Sequence, residues 1–133
     1  MGWTKRLALA GCAAASVLVS GAAGPLGAIT MLQPGQWQFH EFGNDGRRQS
    51  VCVRDPMALI QFYHPGIACT RFVIDDTANS ATVHYTCPGR GYGRTTITTE
   101  DPQLIKLETQ GIAEGQPFDY TYEGRRTGAC ARR

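Results

Sequence analysis

Few side chains in this sequence stand in spacings that support chemistry. Metal sites favour histidines at H-x-H, H-x₃-H or H-E-x-x-H, because those intervals present two ligands on one face. His40, His64 and His84 fall in none of these patterns, and His40-Glu41 would point to opposite faces of a strand. The same alternation separates Asp75 from Asp76, and no D-x-D-x-D-G calcium ladder follows them. Gly89-Arg90-Gly91-Tyr92-Gly93-Arg94 is glycine-rich like a phosphate loop. It lacks the Lys of a Walker loop, however, and leads into a Thr-rich strand where a helix would be needed. It reads as a hairpin loop whose arginines could meet an anion. Beyond residue 23 the serines are Ser50 and Ser80, neither within G-x-S-x-G, and no C-x-x-C redox pair occurs. No catalytic, cofactor-binding or metal-ligating residue is expected, and the chain reads as a non-enzyme.

Cysteine is the exception, and its use depends on what happens to the N-terminus. Lys5 and Arg6 precede an uncharged, mostly apolar run from Leu7 to Val19, and Ser20-Gly21-Ala22-Ala23 follows. These are the charged, apolar and small-residue parts of a secretory signal. Residues 1–23 are expected to be a signal peptide, cut after Ala22 or Ala23, and residues 24–133 a single disulfide-bonded β domain. Two alternatives use the same residues. Leu9-Ala10-Gly11-Cys12 resembles a lipobox, but the apolar stretch before it is short and the residues after it are apolar, unlike a tether. An uncleaved anchor would have to span the bilayer with an Ala- and Gly-rich run that stops at Gly24-Pro25. With the signal removed, Cys52, Cys69, Cys87 and Cys130 remain, an even set suited to two disulfides in an oxidising compartment. Zinc is the rival reading, but structural zinc sites use close pairs, and these cysteines are 17, 18 and 43 positions apart. The expected location is periplasmic or secreted, with no membrane attachment after cleavage.

Charge narrows the partners. The full chain carries 13 Lys+Arg against 11 Asp+Glu, and loss of Lys5 and Arg6 leaves 11 against 11. A neutral domain lacks the basic excess from which nucleic-acid affinity is built, so nucleic acid is not an expected partner.

The elements follow from periodicity and turn chemistry. Trp37, Phe39 and Glu41 alternate with Gln36, Gln38 and His40 in a first strand, and Asn44-Asp45-Gly46 turns the chain into a second strand over 48–53. Asp55-Pro56 is a helix start, with Asp at the N-cap and Pro at the first position, for a short helix over 57–63 that His64-Pro65-Gly66 stops. From Cys69 the pattern is a meander, with strands over 70–75, 81–87, 93–99, 104–109 and 118–123. The segment from Gly111 to Pro117 separates the last two. The expected fold is mainly β, a curved antiparallel sheet or partly closed barrel of about seven strands with one short helix and two disulfides.

Cys69 and Cys87 are equidistant from Ala78, at the centre of the proposed turn, so that hairpin sets them side by side. Cys52 then pairs with Cys130. The competing scheme joins Cys52 to Cys69 and Cys87 to Cys130. Phe118, Tyr120 and Tyr122 share a strand face, and with Trp37 and Phe39 they could line a cup for an apolar or lipid-like ligand, or else form the core beneath the helix. A third possibility is an interaction module that docks on an envelope protein through an open sheet edge or the arginines 125, 126, 132 and 133.

Pro34-Gly35-Gln36-Trp37 at the start, the four-cysteine spacing around a helix and a hairpin, and Arg125-Arg126-Thr127-Gly128-Ala129-Cys130 at the end together resemble the domain of unknown function 3617 family (DUF3617). The likeness spans the region after the signal. It implies a small exported bacterial protein with an all-β core and brings no catalytic residues with it.

Overall fold

The computed structural model describes residues 26–43 and 46–131. The expected signal peptide with Cys12, Asn44 and Asp45 of the expected turn, Arg132 and Arg133 lie outside them. Strands β1 (Gly35–Glu41), β2 (Arg48–Val53), β3 (Thr70–Asp76), β4 (Ser80–Cys87), β5 (Gly91–Asp101), β6 (Leu104–Ala113) and β7 (Gln116–Gly128) form one antiparallel sheet. Its order is β2-β1-β7-β6-β5-β4-β3. It does not close into a barrel, so among the described residues β2 and β3 are free edges.

Alternation builds the core face. Trp37 and Phe39 from β1, Val83 and Tyr85 from β4, Ile97 from β5, and Ile105 and Leu107 from β6 are all at most 1% exposed. Polar side chains take the other face, as expected when one side of an antiparallel sheet is wet. Gly124 lets β7 lie against this core, because a Cβ there would stand 2.6 Å from Phe39 Cε1. Strands β6 and β7 run longer than their sequence pattern implies. Ala113 pairs with Gln116 across a two-residue turn, Glu114-Gly115, with both residues at positive φ. That is the turn whose twist suits a tight hairpin. The segment from 111 to 117 is therefore mostly ladder.

Two short helices cover the core face. The expected helix is a 3-10 helix, Pro56–Gln61, whose N-cap Asp55 accepts a hydrogen bond from Met57 N–H. The helix is only six residues long, ending before the expected Tyr63, and 3-10 geometry suits so short a piece. The second, α1 (Gly27–Thr30), has no counterpart in the sequence reading. Its N-cap is Leu26, with no side-chain cap and no first-turn acid, so local signals are absent. Tertiary packing holds it instead: Leu26, Ala28, Ile29 and Leu32 are buried. Strand β5 anchors both helices, as Thr99 Oγ1 donates to the Ala28 carbonyl and Thr95 Oγ1 to the Ile60 carbonyl, each at 2.7 Å.

The disulfides are Cys69–Cys87 and Cys52–Cys130, with Cα separations of 4.2 and 5.5 Å, so the competing scheme falls. The first bridges the β3–β4 hairpin. The second ties the end of the chain, beyond β7, to the edge strand β2.

Candidate functional site

The groups singled out for chemistry are dispersed. His40 on β1 and His84 on β4 are separated by three strands. His64 is buried at the end of the 3-10 helix, where Nε2 donates to the Arg90 carbonyl at 3.2 Å and Nδ1 accepts from the Tyr85 hydroxyl at 2.9 Å. Both nitrogens serve the fold. Asp75 and Asp76 close strand β3. Arg90 pairs with Glu114 across hairpin tips, Arg125 pairs with Glu123, and Arg126 donates to the Pro34 carbonyl.

The five aromatic residues do come together, and they are packed. Trp37 and Phe39 are fully buried, Tyr122 and Phe118 nearly so, and Tyr120 is half-buried. The space between them holds Phe62 and Tyr63. Phe62 meets Phe39 edge-on at 4.9 Å, and Tyr63 stacks on Phe118 at 4.4 Å and on Tyr120 at 5.2 Å. The Tyr63 and Tyr122 hydroxyls bond at 3.0 Å. Burial, with the Tyr122 hydroxyl, pushes the Tyr63 phenol well above the ordinary range, and burial pushes Tyr85 up to about 12. Trp37, Phe39, Tyr120 and Tyr122 pack with Phe62 and Tyr63 in the hydrophobic core cluster.

A hollow with a different character lies beside β2. It encloses about 550 Å³ between that strand and the 3-10 helix, lined on its apolar side by Val51, Val53, Ala58, Leu59, Phe62 and Pro65. Gln49 to Val53 line it consecutively, residues of both sheet faces, so it runs along the open edge of the strand. The hydrogen-bond register shows which backbone groups face it. Glu41 N–H donates to the Arg47 carbonyl at 2.9 Å, which makes 41 and 47 a hydrogen-bonded pair. By alternation Gln49, Val51 and Val53 bond to β1, and Arg48, Ser50 and Cys52 direct N–H and C=O outward. Among the described residues none of those outward groups has a backbone partner. An extended chain laid there would complete the ladder, and its alternate side chains would enter the apolar groove. One end of the edge is basic, with Arg47 and Arg48, and the other carries Arg54 beside Asp55.

Gln61 fixes the wall opposite. It is buried, its Nε2 donates to the Ile67 carbonyl at 2.8 Å and to Cys69 Sγ at 3.1 Å, and its Oε1 accepts from Arg71 at 2.8 and 3.0 Å. The 3-10 helix is thereby bound to the Cys69–Cys87 hairpin. The sequence implied an open edge but not that β2 forms it or that a groove lies beside it, because strand order is a long-range property. The one signal available was a strand over 48–53 bounded at both ends by arginine. No protein-family model matches the chain, and no curated protein or solved structure does so either.

Proposed function

We propose that this chain is an exported, disulfide-bonded binding module of the bacterial cell envelope, periplasmic or secreted, which captures an extended segment of another envelope protein on β2 without catalysis. The observation that carries this reading is the outward backbone of Arg48, Ser50 and Cys52 lying along an apolar groove. The Arg47-Arg48 end of the strand favours an apolar segment with an acidic flank at that end, since like charges opposed across strands are destabilising. Export is supported by the two disulfides, which suit an oxidising compartment, and by the resemblance to the domain of unknown function 3617 family. Cleavage after Ala22 or Ala23 would leave the buried residues from Leu26 onward in the mature protein. The alternative ligand, an apolar or lipid-like molecule in the aromatic cup, would require Phe62 and Tyr63 to leave their stacked positions.

Photo-crosslinking in the host envelope tests the reading. A crosslinker at Arg54, at the end of the groove, is compared with one at Arg94 on the polar face. Adducts concentrated in one envelope protein from position 54, and lost when Ser50→Pro is added, are the expected result. Equal labelling from both positions, unaffected by Ser50→Pro, would refute it. The mass of the protein recovered from the envelope reads the cleavage site independently.

A further inference from the structure

The second free edge is apolar as well, but fully exposed and charged differently at its ends. All seven residues of β3 are exposed, and its centre is apolar: Phe72 is 68%, Val73 40% and Ile74 45% exposed. Three consecutive apolar side chains on an edge strand are a template for another strand. The 4.2 Å Cα separation of Cys69 and Cys87 marks a pair without mutual hydrogen bonds. Alternation then gives Thr70 and Phe72 to the β4 ladder and turns the backbone N–H and C=O of Arg71 and Val73 outward. A bulge between Val73 and Asp75 pushes Ile74 out of that ladder. The 3-10 helix reaches β3 only at its Arg71 end, through Gln61, and Phe72, Val73 and Ile74 stay exposed.

Charge identifies the occupant. Arg71 lies at one end of the strand, and Asp75 and Asp76 at the other. Antiparallel pairing of β3 with its own copy, centred on Val73 or between Val73 and Ile74, sets Arg71 of each chain against Asp75 or Asp76 of the other. A two-fold axis makes that match occur twice, and parallel pairing would oppose like charges. Arg71 is held in position by its two bonds to Gln61 Oε1, and among the described residues Asp75 and Asp76 have no ion-pair partner. Strand β2 cannot pair with itself in this way, because arginine stands at both of its ends. We infer that β3 joins two copies of this chain edge to edge, giving one continuous fourteen-stranded sheet with a β2 groove at each far end. A single strand pair buries less than the roughly 1,200 Å² of a standard interface, so the dimer is weak and concentration-dependent.

Sedimentation equilibrium of the oxidised mature protein, from about 1 μM to about 500 μM, covers the range where such a contact exchanges. The expected result is a monomer–dimer equilibrium that Val73→Lys weakens by roughly tenfold or more. Asp75→Lys with Asp76→Lys should weaken it as well, and adding Arg71→Glu to that pair should restore it. Restoration would show that the charges act across the interface, since misfolding would not be rescued. A monomer throughout the range would overturn the inference, as would a dimer indifferent to Val73→Lys. So would a β3 edge found occupied only by a different envelope protein.

Discussion

A proline walked along β2 tests the register and the groove in one experiment. Val51 N–H donates to the carbonyl of Trp37 in a hydrogen-bonded pair, and Trp37 is 0% exposed. Val51→Pro removes that bond, worth about 0.5–1.5 kcal/mol, and leaves the buried Trp37 carbonyl unsatisfied at a cost of about 1–3 kcal/mol. The expected loss of stability is about 2–4 kcal/mol, a large part of the total for a domain of this size. Ser50→Pro, one residue away, removes an N–H that faces water, and edge strands tolerate proline there, so the loss should stay within about 1 kcal/mol. Urea unfolding of the oxidised proteins measures both. Amide hydrogen exchange supplies the same contrast without mutation: Gln49, Val51 and Val53 should be protected, and Arg48, Ser50 and Cys52 open. Only a bound strand should close the second set. Equal destabilisation by the two prolines, or protection of Ser50 in the free protein, would refute the outward register and with it the groove as a strand-addition site.

Three further outcomes follow from the packing. Sequence separations of 78 and 18 residues give the Cys52–Cys130 and Cys69–Cys87 bridges about 4.5 and about 3.2 kcal/mol in the chain-entropy account. Replacing either pair with alanine should lower the urea-derived stability by amounts of that order, and a loss below about 1 kcal/mol would contradict it. Gly124→Ala places a methyl 2.6 Å from Phe39 and 2.9 Å from Ile105. It should cost about 1–3 kcal/mol by overpacking, whereas a neutral effect would mean β7 lies farther from the core. Tyr85 is raised from 10.0 to about 12 in the fold, so between those pH values the unfolded chain has lost a proton that the native state keeps. Stability is then complete below pH 10 and declines as pH rises toward 12, with Tyr63 and Tyr122 adding in the same direction. Ultraviolet titration should show these phenols ionising together with unfolding, and their ionisation in the intact fold would disprove the burial.

Local pattern carried much of this protein. The alternation of Trp37 and Phe39 with Gln36 and Gln38, and of Phe118, Tyr120 and Tyr122 with Asp119 and Thr121, specifies strands with one buried face, because side chains on a strand repeat every two residues. The symmetry of Cys69 and Cys87 about Ala78 specifies their bridge, because an antiparallel hairpin sets such residues opposite one another. Asp55-Pro56 and His64-Pro65-Gly66 bound a helix by capping and chain stiffness, both properties of a few neighbouring residues. Tertiary structure decided the rest. Helix α1 exists because Leu26, Ala28, Ile29 and Leu32 have a sheet to bury them, not because its own residues favour a helix. The contacts of Phe62 with Phe39 and of Tyr63 with Phe118 likewise come from tertiary packing. The placement of β1 between β2 and β7, which leaves β2 and β3 as the open edges, joins residues more than eighty positions apart. Pairing over that distance depends on the energies of the whole sheet, and no local period encodes it.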